Sequence, residues 1–352
     1  MRAVIDRRRW LGGMAALPLF GIGSARAQSR DLTVVSWGGA YQDAQREVYF
    51  RPWAQARGQR LLEETWDGGV AQLRARGASG ASTWDLVQVE GEELLIGCAE
   101  GLFERLDFAA IGGRDNYIPK AVQDCGVGAI LYAFVLAWDR ARLREPPRGW
   151  ADVFDTRRIQ GRRALRRGPK TTLEIALLAD GVASDQVYGV LATEAGLERA
   201  FRRLDTIRPD ILWWERGAEP VRWLASGEVA LAVAYNGRIA AANANDGQDF
   251  GIAWAQNLYT LDSWVIMRGS PNRERALDFL NFAGQAQQQA LLPPRIPYGV
   301  TARGANDRLP RAVLAQLPTA PQNAEQALRI DDHFWLANID RLNRRFEAWL
   351  GG

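Results

Sequence analysis

Three carboxylates and several large aromatic residues are the parts of this 352-residue chain best suited to act on a small molecule. Glu90, Glu174 and Asp262 supply the charge, and Trp37, Tyr235 and Tyr298 supply flat apolar faces. Two carboxylates about 5–9 Å apart can cleave a glycosidic bond. Carboxylates walled by aromatics can instead hold an amine. Charge-assisted hydrogen bonds fix the ammonium, and a cation against a Trp or Tyr face gains about 0.5–2 kcal/mol. Sequence spacing gives the first use no support, and no catalytic signature accompanies it. G-x-S-x-G and H-E-x-x-H are both absent. One histidine, His333, and two cysteines, Cys98 and Cys125, leave little for a metal site or a triad. His333 is expected as an ordinary surface or helix-packing residue. Gly168-Pro-Lys-Thr-Thr172 ends like a phosphate loop, yet Pro169 separates Gly168 from Lys170 and Gly161 stands at the wrong distance. The expectation is a binding protein rather than an enzyme, with neither cofactor nor metal.

The elements that must position these residues alternate in type. Residues 32–37 form an apolar, β-branched run that Gly38-Gly39 breaks, and a helical pattern follows from Tyr41 to about Ala56. Strands at 60–65 and 84–89 and a helix at 91–99 complete the first series. Residues 127–138 are a long apolar run that reads as extended chain leaving the first lobe. Pro146-Pro147-Arg148-Gly149 then makes a surface loop. A second series follows, with strands at 163–165, 211–214, 229–235, 251–254 and 264–267. Its helices lie between those strands, and the last ones are expected near 273–283, 285–291, 307–317 and 331–350. Such alternation predicts an α/β fold with a largely parallel sheet. Ligands bind such sheets outside the carboxyl ends of the strands, which places Trp37-Gly38-Gly39 and Glu90-Gly91 at one rim. Along the strand holding Trp213-Trp214, alternation sends one indole to the core and offers the other to the opposite face, without saying which.

The first 27 residues form a targeting segment. Arg2, Arg7, Arg8 and Arg9 precede an apolar stretch too short to span a bilayer, and Ala25-Arg26-Ala27 offers a cleavage site before Gln28. Arg7-Arg8-Arg9-Trp10-Leu11 has the twin-arginine pattern of folded export. The leader holds five of the 44 Lys/Arg and one of the 41 Asp/Glu, so the remaining 325 residues carry 39 basic and 40 acidic groups. That near-neutral balance recommends neither nucleic acid nor a membrane surface as partner. In an oxidising compartment Cys98 and Cys125 are expected to pair, with two buried free thiols as the alternative.

Several segments carry a family likeness. They are Trp150-Ala-Asp-Val-Phe-Asp155 with Gln160-Gly161-Arg162, Ala225-Ser-Gly-Glu-Val-Ala-Leu-Ala-Val-Ala-Tyr-Asn-Gly-Arg238, and Leu261-Asp262-Ser263 before Trp264-Val-Ile266. Gly269-Ser-Pro-Asn-Arg-Glu-Arg-Ala-Leu-Asp-Phe-Leu280 and Pro297-Tyr298-Gly299 continue the series. In order and spacing these resemble the polyamine-type solute-binding proteins of ABC importers. The resemblance implies a type II periplasmic binding protein fold, with two αβ lobes, a two-crossing hinge and a ligand cleft between them. Lobe one would hold residues 28–138 and 263–308, and lobe two 139–262 and 309–352. The protein would be a periplasmic monomer that closes on putrescine or spermidine by hinge motion and is read by a permease with its ATPase.

By the same resemblance, Trp37 and Tyr41 match aromatics after the first strand, and Glu90 falls where the family often has Ser. Glu174 matches an acidic residue at a helix start, Tyr235 and Asn236 an aromatic–Asn pair, Asp262 the carboxylate that holds an ammonium, and Tyr298 a later cleft aromatic. Trp264 either lines the cleft or packs beneath it. One departure matters. The family often places an Asp in the turn that here reads Trp37-Gly38-Gly39-Ala40, and those glycines would let backbone approach a ligand closely. Arg238, at a helix start, is either solvated or faces the cleft. In the cleft it would suit an amine that also bears a carboxylate, such as an amino acid or opine.

Overall fold

The computed structural model describes residues 30–78 and 83–352. The targeting segment and its twin-arginine pattern lie outside these residues. The chain opens with β1 (Leu32–Ser36), α1 (Gly39–Gln45), α2 (Arg51–Arg57), β2 (Leu61–Thr65), α3 (Val70–Ala78), β3 (Leu86–Val89) and α4 (Gly91–Ala99). After β4 (Gly126–Asp139) come α5 (Trp150–Val153), β5 (Arg163–Arg166), α6 (Thr172–Ala179), α7 (Val187–Leu191) and α8 (Glu194–Asp205). Next are β6 (Ile211–Trp214), α9 (Glu219–Ser226), β7 (Leu231–Tyr235), α10 (Asn236–Asn245) and β8 (Phe250–Ile266). The chain finishes with α11 (Arg273–Ala283), β9 (Leu328–Arg329) and a C-terminal helix (Asp332–Gly351). No described helix is long and apolar enough to cross a membrane.

The strands make one sheet in the order β2-β1-β3-β8-β4-β7-β5-β6, with β9 beside β8. β1 is buried along its whole length because it lies between β2 and β3, both parallel to it. β5 likewise lies between β6 and β7, parallel to both. Between these two parallel groups run the long antiparallel strands β4 and β8. Val89, the last residue of β3, pairs with Ser263 of β8, and Tyr235, the last of β7, pairs with Phe134 of β4. Since Gly128 faces Ser263 and Phe134 faces Leu258, both parallel groups end against the short central stretch of the β4–β8 pair. That relation lets carboxyl-end residues from both series converge.

The expected strands at 251–254 and 264–267 are one continuous strand. Gln256 and Asn257 interrupt the apolar pattern, and Gln256 sits at φ 52°, yet β4 pairs on both sides of them. The helix expected over 307–317 is reduced to a single turn at Arg311–Leu314. Pro310 immediately precedes it and cannot donate the backbone bond a longer helix needs. The main apolar core runs continuously through the crossing strands, and a second buried cluster around Val35, Trp66, Trp84, Val87 and Val265 packs within the first series. The C-terminal helix packs on both series. Its Trp335 Nε1 donates to Glu174 of α6, while its first residue, Asp332, sits so close to Gly91 of α4 that a Cβ there would meet its carboxylate at 2.2 Å. Cys98 and Cys125 are disulfide-bonded, tying the end of α4 to the start of β4.

Candidate functional site

Six parallel strands deliver a residue at or just past their carboxyl ends to one cavity. These are Trp37 after β1, Trp66 and Asp67 after β2, Glu90 after β3, Arg166 ending β5, Glu215 after β6 and Tyr235 ending β7. The crossing strands form the floor with Ile130, Tyr132 and Asp262, and Tyr41, Arg238 and Tyr298 complete the wall. The space open to the centre of a water-sized sphere is about 40 Å³. That admits roughly three or four waters, or one compact organic molecule.

The walls are aromatic and rigid. Trp37 stacks on Trp66 with ring centroids 5.1 Å apart, and Trp66 Nε1 donates to the Gln88 carbonyl at 3.0 Å. Tyr41 meets Tyr298 edge-on at 5.2 Å and Tyr132 meets Tyr235 edge-on at 5.5 Å. Gln88 Nε2 donates to the Tyr41 hydroxyl at 2.6 Å, which fixes that ring. Burial pushes the Tyr41 and Tyr132 hydroxyls well above the usual range, so both stay neutral donors.

The charges are unevenly matched. Glu90 is 4 % exposed, yet Arg166 at 2.8 Å and Lys170 at 2.6 Å hold it. Burial favours its neutral form, but those two cations outweigh burial and bring its pKa down to about 2. Asp262 is 3 % exposed and forms no ion pair among the described residues. Its Oδ1 has no hydrogen-bond partner among them. Burial, then the nearby charges of Glu90 and Glu93, push its carboxyl well above the ordinary range. Trp37 Nε1 is the other buried polar atom of the wall without a partner among the described residues. Arg238 faces the cavity: its guanidinium lies 5.9 Å from the Tyr235 ring centroid, and Nη2 donates to the Trp37 carbonyl at 2.8 Å. It also reaches the Gly38 carbonyl at 3.2 Å.

Trp37, Tyr41, Glu90, Tyr235, Arg238, Asp262 and Tyr298 are thus brought together, and five other expected residues are not at the wall. Glu174 lies in α6 and accepts hydrogen bonds from Tyr188 at 3.0 Å and Trp335 at 2.8 Å, away from the cavity. Burial raises its pKa to about 7. Asn236 is a structural clamp, accepting from the Ala133 amide and donating to the Pro297 carbonyl. Trp264 packs in the core against Phe279. Gly38 and Gly39, both with φ near 60°, shape the turn behind the wall, and at Gly39 a Cβ would meet Arg238 at 2.6 Å. Neither Trp213 nor Trp214 reaches the cavity. Trp214 is fully buried beneath Tyr235, and Trp213 packs on Phe346 and Trp349 of the C-terminal helix. Arg166, Glu215, Trp66 and Asp67 were missed, although the carboxyl-end rule pointed to all four. Tyr132 had no such signal, lying mid-run in an apolar strand.

A family model for bacterial extracellular solute-binding proteins matches residues 60–303. A gamma-aminobutyric acid-binding protein of Pseudomonas aeruginosa is 44 % identical over 336 residues, 95 % of each chain. The crystal structure of the binding protein MotA from A. tumefaciens B6, in complex with glucopine, is similar with a TM-score of 0.85 and 28 % identity. That match covers 91 % of this chain and 100 % of the other. The structure of a GABA receptor matches with a TM-score of 0.79 and 32 % identity, covering 91 % of this chain and 98 % of the other.

Proposed function

Because this chain belongs to the bacterial extracellular solute-binding protein family, we propose that it is the receptor of an ABC importer for a small ω-amino acid of the γ-aminobutyric acid class. The observation that carries this reading is the charge pattern of the cavity. Among the described residues, Asp262 is the one deep wall carboxylate without a cation, since Glu90 is held by Arg166 and Lys170. Arg166 and Arg238 add two guanidinium groups to the same wall. A zwitterion fits both: its ammonium on Asp262, its carboxylate on the guanidinium side. A polyamine brings at least two ammonium groups to one uncompensated carboxylate and meets two fixed cations. The small volume also favours a short ligand, and the relatives that bind GABA and opines support the amine bearing a carboxylate. The polyamine reading drawn from the sequence motifs gains no comparable support.

In this reading the ligand lies across the crossing strands. Tyr41, Tyr235 and Tyr298 cover its methylenes, and the two series close over it by hinge bending within β4 and β8. The closed form, in the periplasm, then delivers its solute unchanged to a permease and its ATPase. Calorimetric titration of the exported protein with γ-aminobutyric acid, 5-aminovalerate, butyrate and putrescine tests the proposal. An ω-amino acid should bind at least tenfold tighter than putrescine or butyrate. Tighter binding of putrescine, or equal binding of butyrate, would overturn it.

A further inference from the structure

We propose that Lys170 is an interlobe latch, a positioning residue that sets ligand affinity and residence time by holding the closed form without touching the ligand. The inference rests on reading the cavity as a solute site. Lys170 lies between β5 and α6, in the second series, and is 5 % exposed. Its Nζ donates to Glu90 Oε2 at 2.6 Å and also to Glu92, both in the first series at the start of α4. Neither Lys170 nor Glu92 lines the cavity. The pairs therefore bridge the two sides of the cleft from behind its wall.

Four further features fit a latch rather than ordinary packing. The residue after Lys170, Thr171, is fully buried at φ 72°, a left-handed conformation that a β-branched residue adopts at a cost. Its hydroxyl has no partner among the described residues. The loop thus holds a strained shape while presenting the ammonium to the opposite lobe. On that lobe Glu90 is already organised, since it and Glu93 form the capping box that begins α4. Arg166, which does line the cavity, shares Glu90 with Lys170. By neutralising Glu90, Lys170 lessens that carboxylate's hold on Arg166 and leaves the guanidinium more available to an anionic ligand group. Asp332 of the C-terminal helix also faces the ammonium electrostatically. When the lobes separate, both sides of the latch are hydrated. Its loss should therefore weaken the closed form far more than the fold.

The test uses the exported full chain with Lys170→Met, Glu92→Gln and the double variant, with γ-aminobutyric acid and, separately, putrescine as probes. Stopped-flow and calorimetric titrations give rates and affinity; thermal melts without ligand report on folding. Each single variant should bind the parent's probe about 10- to 100-fold more weakly, mainly through faster dissociation. The double variant should be no worse than the poorer single one, and ligand-free melting temperatures should stay within a few degrees of the parent. Unchanged dissociation rates, or losses that add in the double variant, would overturn the latch. If the parent binds neither probe, the functional reading fails by itself. The latch is then read from small-angle scattering of ligand-free protein, where Lys170→Met should have the larger radius of gyration, and equal radii would overturn it.

Discussion

The guanidinium of Arg238 donates to the carbonyl oxygen of Trp37 at 2.8 Å, across 201 positions of sequence, and so joins the first turn of α10 to the turn after β1. One side chain thereby links the two series and brings positive charge to the cavity wall. Charge-assisted bonds to carbonyls are individually worth about 1.5–3 kcal/mol when buried. Replacing Arg238 should therefore cost both closure and recognition of a ligand carboxylate. Arg238→Ala should weaken binding of γ-aminobutyric acid about 10- to 100-fold in a calorimetric titration. An unaltered affinity would remove Arg238 from the recognition site.

Asp262→Asn keeps the shape of the side chain and removes its charge. If Asp262 holds the ammonium, affinity should fall about 100-fold, the order expected for a buried charge-assisted hydrogen bond. Retained affinity would place the ammonium elsewhere.

The same carboxyl makes binding pH-dependent with a definite sign. Burial and the charges of Glu90 and Glu93 raise the Asp262 pKa in the free protein, and a bound ammonium would lower it again. Binding should then release a proton, and affinity should rise with pH up to the raised pKa of the free-protein carboxyl and level off above it. Titration in buffers of different ionisation heat measures the proton directly. Zero release, or uptake, would contradict the assignment.

Glu174 offers a contrast, because the structure places it away from the cavity. Its folded-state pKa is raised from 4.5 to about 7, chiefly by burial. The stability it contributes is complete below about pH 4.5 and is lost as pH rises through 7, on the order of 3 kcal/mol. Glu174→Gln should flatten that part of the melting-temperature profile between pH 5 and 8. Ligand affinity should stay within threefold of the parent, and a larger loss would return Glu174 to the binding surface.

The disulfide between Cys98 and Cys125 closes a loop across 27 positions. Loop-closure entropy for that length corresponds to about 3–4 kcal/mol. The Cys98→Ala and Cys125→Ala double variant should melt about 5 °C lower than the oxidised parent in a thermal scan. Identical melting would mean that the bond constrains little in the unfolded chain.

The alternation of apolar runs with helical periodicity was enough, by itself, to give the α/β class and the positions of most strands, because residues 32–37 or 84–89 carry their period and turn signals locally. The carboxyl-end rule likewise located Trp37 and Glu90, since it needs only a strand direction and a break. Local pattern could not separate three similar carboxylates. Glu90, Glu174 and Asp262 are all deeply buried. Their partners differ completely: two cations for Glu90, an indole and a phenol for Glu174, and no ion pair among the described residues for Asp262. The cations of Glu90 lie 76 and 80 positions away and the indole of Glu174 161 away, so only tertiary structure could show how each charge is compensated. It also decided that Arg238 turns into the cavity and that Lys170 crosses to Glu90. Charge is a property of a residue, whereas its compensation is a property of the neighbours that folding brings to it.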